Sequence, residues 1–217
     1  MIRIITVERE YGCGGGEIAQ LLADELGWKL WDHLLTEEIA QHARCPESVV
    51  EAREERNDPL YYRLLKSFMR GSYEGSQNAH KINMVDSECI MQFTRQAITR
   101  IAETGNSVIV GRGSQHFLRD RNDVLRVFLF APAEDKVRRL MARGKSESEA
   151  WDRVETVDRD RKEYIQKYFH VDWPNLPLYH ILLNTNSGNE VVVQTILNFM
   201  NTLNAPAPSG EKLARAR

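Results

Sequence analysis

The chain is short of cysteine, of long apolar runs and of net charge, and each shortage excludes a class of protein. Its 217 residues hold three cysteines, Cys13, Cys45 and Cys89. They are odd in number and widely spaced, so neither a disulfide framework nor a CxxC metal site is indicated, and reduced thiols are expected. No apolar run approaches the roughly 18 residues of a membrane span, and the first residues lack the basic, apolar and small-residue order of a signal peptide. A cytoplasmic location is the expectation. The 29 basic and 31 acidic residues leave a formal charge of −2. No global field therefore marks the chain for nucleic acid or an anionic membrane, and local clusters must do any anion binding. His33, His116 and His170 show no metal-ligand spacing.

What is present is an alternation of strand and helix signals. Apolar, β-branched or buried-strand runs occur at "IRIITV" (Ile2 to Val7), "WKLWD" (Trp28 to Asp32), "SVIVG" (Ser107 to Gly111), "VLRVFLFA" (Val124 to Ala131) and "HILLN" (His180 to Asn184). Between them lie helical stripes: Ile18, Leu21, Leu22 and Leu26 before the stop at Gly27; Ile90, Thr94, Ala97, Ile98 and Ile101; and Val137, Leu140 and Met141 after Pro132. A long charged helix is expected from about Ser146 to Tyr168, and a last one to about Leu203. Five such strands imply an α/β fold with a parallel sheet covered by helices on both faces, whose ligands bind at the carboxyl ends of the strands. The polar stretch from Thr36 to Asn83, broken at Pro46 and Pro59 and rich in Gly, Ser and Asn toward its end, reads as an insertion. One domain over residues 1–203 and a disordered tail at 204–217 complete the expected organisation.

The stretch "EREYGCGGGEIAQLLADELGW" joins the first strand to the first helix. Glycines allow a tight turn with inward-facing amides, and the helix start adds unsatisfied N–H donors and a positive dipole end, so Gly12, Cys13, Gly14, Gly15, Gly16 and Glu17 form a candidate phosphate cradle. It lacks the usual lysine. In the pattern G-x-x-x-x-G-K-[ST], with Gly14 as the second glycine, Arg9 stands at the first, Gly15 at the lysine and Gly16 at the Ser/Thr. Nor does Gly12–Gly14–Glu17 complete a dinucleotide fingerprint.

That stretch, together with "VIVGRGSQHFL", "VLRVFLFAPAEDKVRRL" and "VDRDRKEYIQKYFHVDWPNLPLYHILLNT", resembles the cytidylate kinase-like proteins, a branch of the P-loop nucleoside monophosphate kinases, from roughly Ile2 to Leu203. The resemblance implies a five-stranded P-loop kinase fold with a helical NMP-binding insertion near 36–83 and a lid near 138–168. It also implies phosphoryl transfer from ATP, with Mg²⁺, to a nucleoside monophosphate such as CMP or dCMP. That branch reads like "REYGSGGREIA" at the loop, with an arginine where this chain has Gly16.

Phosphoryl transfer depends on neutralising charge, so another cation must serve if catalysis is retained. Arg9, nearest the glycines, either takes that role or is a surface residue pairing with Glu8 or Glu10. Arg112, between two glycines after the third strand, binds phosphate or forms a structural ion pair; it resembles the GRD-type arginine of cytidylate kinases, with Gly113 in place of the acid. Taking 100° per residue, Val154, Val157, Ile165 and Tyr168 lie within about 40° of Arg161, which therefore points inward and needs an anion, either carboxylate or phosphate. Arg159 points the opposite way. Asp32 and Arg159 are the substrate-binding candidates, Asp32 also for metal positioning; Arg139, Arg143 and Arg153 are candidates in the lid. Glu8 and Glu17 are further acids near the loop, Glu17 alternatively favouring the helix dipole. Cys13, at a helix start, either has a lowered pKa or is simply small enough for the turn. Besides a nucleotide kinase, a kinase of another small acceptor and a nucleotide-binding protein without catalysis are the alternatives.

Overall fold

A computed structural model describes residues 1–32, 34–35 and 87–206. The expected insertion, His33, Cys45 and all but the first residues of the tail lie outside the described residues, as do the side chains of 87–90, among them Cys89 and Ile90.

Five parallel strands form one sheet in the order β2-β3-β1-β4-β5. They are β1 (Ile4–Arg9), β2 (Lys29–Trp31), β3 (Ser107–Val110), β4 (Val124–Phe130) and β5 (Ile181–Asn184). The central strand, β1, has Val7 paired with Val110 on one side and Val127 on the other. All six of its residues are buried, which explains why it reads as a continuous apolar run rather than an alternating one. The helices are α1 (Gly15–Leu26), α2 (Ser87–Thr104), α3 (Ser114–Phe117), α4 (Ala133–Ala142), α5 (Glu147–Phe169) and α6 (Asn189–Asn204).

Two layers cover the sheet. On one face Ile5, Val7 and Val127 pack with Ile18 and Leu22 of α1 and Val192 and Ile196 of α6. On the other, Ile4 and Ile109 pack with Ile98 and Ile101 of α2. A third cluster, Tyr11, Val137, Leu140, Ala150, Val154 and Val157, seats α4 and α5 against the start of the glycine loop. Among the described residues no helix is long and apolar enough to cross a membrane.

Local signals place most boundaries. Gly27 ends α1 in the left-handed region at φ 62°, its N–H reaching Ala23 and Asp24. Ser146 caps α5 by accepting from the Glu149 amide. Two details differ from expectation. The short α3 follows β3 at once, where no apolar stripe announces it. The last helix also runs to Asn204, one residue into the expected tail, because Asn204 Oδ1 accepts from the Ile2 amide at 2.6 Å.

Candidate functional site

The glycines cross from the end of β1 to α1, and their positions have separate reasons. Gly12 and Gly14 take φ 80° and 84°, where a side chain is strained. A Cβ on Gly12 would lie 3.1 Å from Lys136 Cβ, so α4 packs directly on the loop. A Cβ on Gly15 would lie 2.8 and 2.9 Å from Cβ and Cγ of Arg9. The position of the customary lysine is thus closed to any side chain. Gly16 faces open space. Among the described residues no acceptor engages the amides of Gly12, Cys13 and Gly14, which leaves them for an anion at the helix start. The loop is braced from behind: Arg139 Nη1 donates to Cys13 O at 2.6 Å and to Thr185 Oγ1 at 2.8 Å, and Thr185 Oγ1 donates to Cys13 O at 2.6 Å.

The Cys13 thiol is buried, with Sγ 3.6 Å from Leu129 O. Burial pushes its pKa up to about 11, outweighing the Gly15 amide and the nearby arginines. A lowered pKa at the helix start is therefore corrected: the sulfur turns into the apolar core, and only the backbone of Cys13 faces the cradle side.

Arg9, Arg112 and Arg161 converge at the carboxyl ends of β1 and β3, exposed by only 3%, 4% and 2%. Gly111, Arg112 and Gly113 all have positive φ, at 66°, 53° and 73°. This reverses the chain after β3 and turns Arg112 inward. Arg112 Nη1 donates to Asp32 Oδ1 at 2.8 Å and to Val110 O at 3.0 Å. Arg161 Nη1 donates to the Arg9 carbonyl at 2.7 Å and to Asp158 at 3.3 Å. Arg9 is no surface residue: a Cβ on Gly111 would overlap its Nη1, and its guanidinium lies 3.9 Å from both Glu8 and Asp32. Both Nη atoms of Arg9 and Nε of Arg161 are buried without a hydrogen-bond partner among the described residues. Burial pulls the Arg112 and Arg161 guanidiniums below their ordinary value, and the charge of Arg9 adds to it. Arginine stays charged nonetheless, so the Nη groups of Arg9 and the Nε of Arg161 remain donors in want of an acceptor among the described residues.

The remaining candidates divide. Asp32 joins the cluster through Arg112. Glu8 anchors it, accepting from the Arg9 amide at 3.1 Å and from Gln115 at 2.8 Å. Glu17 does not join: it is exposed and bonds Arg143 and Asn189. Arg159 is exposed on the opposite side of α5 from Arg161 and is not gathered with the others. Arg153 makes a pair with Glu149 within the same helix. Among the described residues no group of three or more His, Cys, Asp or Glu could hold a metal ion alone; Mg²⁺ bound together with phosphates needs only one or two carboxylates, and Glu8, Asp32 and Asp158 lie beside the arginines.

Sequence reasoning missed a second network. Asp158 Oδ1 accepts from the Tyr11 amide at 2.7 Å, its other oxygen faces Lys136 Nζ at 3.4 Å, and Nζ also meets Glu10 at 3.0 Å. Only the spacing of Lys136 and Arg139, three apart on one helix face, hinted that α4 presents cations to the loop.

Comparison with known proteins bears on the family and the fold. A model of the cytidylate kinase-like family matches residues 4–187. The curated cytidylate kinase of Methanosarcina mazei is 28% identical over 94 residues, 42% of this chain and 52% of that protein. The chain thus spans about half the length of the curated relatives it matches. Among solved structures, an uncharacterized protein from Eubacterium ventriosum is similar with a TM-score of 0.67 at 23% identity, over 93% of this chain and 99% of that one. Shikimate kinase from Acinetobacter baumannii, in complex with shikimate, follows at 0.50 and 13% identity, over 93% and 94%. These structural likenesses concern the fold, a P-loop kinase fold with an all-parallel five-stranded sheet.

Proposed function

This chain belongs to the cytidylate kinase-like family, and on that premise we propose that it transfers the γ-phosphoryl group of ATP to a nucleoside monophosphate, with CMP or dCMP the first acceptor to test. The observation that carries the proposal is the convergence of Arg9, Arg112 and Arg161, nearly inaccessible to water, beside a glycine loop whose amides meet no acceptor among the described residues. Amides and a helix start suit a triphosphate, and buried guanidiniums suit the charge that spreads over the transferred group. Fixed in advance by Asp32, Glu8 and the Arg9 carbonyl, these groups need little reorganisation during the reaction. Mg²⁺ bound with the nucleotide would neutralise phosphate charge, with Asp32 as a candidate carboxylate for it. In this reading residues 36–83 are the NMP-binding insertion, residues 138–168 are the lid, and the enzyme works in the cytoplasm on free nucleotides.

A second reading is nucleotide binding without turnover, favoured by the closed space at Gly15 that excludes the customary lysine. The two separate in one experiment. Mg-ATP is expected to raise the unfolding temperature, by about 2.7 kcal/mol of stability at one hundred times Kd. ADP is expected to appear on adding CMP or dCMP. Stabilisation without ADP across a panel of monophosphates would establish the second reading, and ADP formed only with a different small acceptor would replace the nucleotide by that compound.

A further inference from the structure

Lys136 stands where α4 meets the loop. Its Cβ and carbonyl oxygen pack over Gly12, at 3.1 and 3.3 Å from where a Cβ would be, and the residue is 7% exposed. Its ammonium shares one carboxylate, that of Asp158, with the amide of Tyr11, the residue that opens the loop: Nζ takes Oδ2 at 3.4 Å and the amide takes Oδ1 at 2.7 Å. Arg161 Nη1 meets the same Oδ1 at 3.3 Å. Asp158 therefore sits in a ring of three donors, two of them cationic, at the mouth of a loop otherwise built for anions. That ring would receive a phosphoryl oxygen as readily as a carboxylate oxygen. The customary position for the cation is closed, since a side chain at Gly15 would run into the stem of Arg9.

We propose that Lys136 supplies the ammonium the glycine loop lacks, exchanging its bond to Asp158 for a β- or γ-phosphoryl oxygen of the bound triphosphate. Glu10, 3.0 Å away, keeps the ammonium aimed during the exchange. Asp158 holds the loop and the ammonium in register until the triphosphate arrives, and so acts as a positioning residue. The proposal rests on the reading of the loop as a triphosphate cradle.

The test measures ATP and AMP affinity by calorimetry on the full chain, together with unfolding temperatures without nucleotide and turnover where present. Lys136→Met is expected to weaken ATP binding at least tenfold while leaving AMP within twofold, because AMP lacks the β- and γ-phosphates. Lys136→Arg is expected to restore most of the loss. Lys136→Met takes one of the two cations from Asp158, which keeps Arg161 and the Tyr11 amide, so the pair Lys136→Met with Asp158→Asn is the decisive control. If the double variant binds ATP like the parent, the lysine merely offset a carboxylate and the proposal fails. Equal losses for ATP and AMP, or none for either, also overturn it. A parent that binds ATP without turning over any acceptor refutes the enzymatic reading alone; a parent that does not bind ATP refutes both.

Discussion

Neighbouring glycines should respond to alanine with opposite sign. At Gly15 the added methyl would lie 2.8 and 2.9 Å from Cβ and Cγ of Arg9 and 3.4 Å from Cys13 Sγ. The Arg9 stem has little room to yield, because its guanidinium is packed against Gly111 and its carbonyl is held by Arg161 at 2.7 Å. Overpacking of this kind costs about 1–3 kcal/mol, and the better helix propensity of alanine returns about 0.5–1 kcal/mol. Mid-range values give a net loss of about 1 kcal/mol, lowering the unfolding midpoint of a chain this size by about 2–4 °C. Gly16 has nothing within 4 Å of its absent Cβ and lies in the first turn of α1, so Gly16→Ala should gain about 0.5–1 kcal/mol. Gly16→Arg, the residue of the resembling loops, should be tolerated without loss. Thermal and urea unfolding of the three variants, followed by circular dichroism, reads all of this. Gly15→Ala as stable as the parent, or Gly16→Ala as damaging as Gly15→Ala, would refute the packing claimed for the loop and reopen position 15 to a side chain.

Three further outcomes are expected. Arg112→Ala takes from buried Asp32 its ion-pair partner at 2.8 Å and leaves Arg9 at 3.9 Å, so it should destabilise by about 3 kcal/mol, the low end for a broken buried pair; adding Asp32→Asn should recover much of that stability, in a double-variant urea series, without recovering turnover. His116 stacks on Phe169 with centroids 4.3 Å apart, and burial lowers its pKa to about 4. The unfolded chain therefore takes up a proton that the fold refuses between about pH 6.5 and 4, and stability should fall as pH drops through that window. His116→Phe should flatten the slope, and an unchanged slope would assign it to other groups. Finally, Cys13 should resist iodoacetamide at pH 8 in the folded protein and react in urea, as peptide mapping by mass spectrometry would show; labelling in the fold would contradict the buried thiol.

Much of the fold was legible because its signals are local. Parallel strands buried on both faces read as apolar runs, and stops such as Gly27 and the cap at Ser146 belong to single turns. The inward aim of Arg161 followed from helical phase alone. Arg9 was ambiguous for an equally physical reason: at the end of a strand the alternation gives a direction but not what covers it. Glu17 and Arg159 looked like site residues from their neighbourhood in the chain, yet the former pairs outward with Arg143 and Asn189 and the latter lies on the exposed side of α5. Lys136, which packs on Gly12, lies far along the chain from the glycines, beyond the reach of any short motif.

By itself, then, the order of residues determined five strands, the three central ones mostly buried, the helices between them and a glycine turn at a helix start, since period, propensity and backbone freedom act over a few residues. The order of those strands in the sheet brought Arg9, Arg112 and Asp32 together, and the packing of α4 and α5 on the loop set Lys136 and Asp158 against Tyr11. Contacts between residues 147 and 22 positions apart, such as Asp158 with Tyr11 and with Lys136, exist only after burial of the apolar faces has supplied the free energy to close those loops.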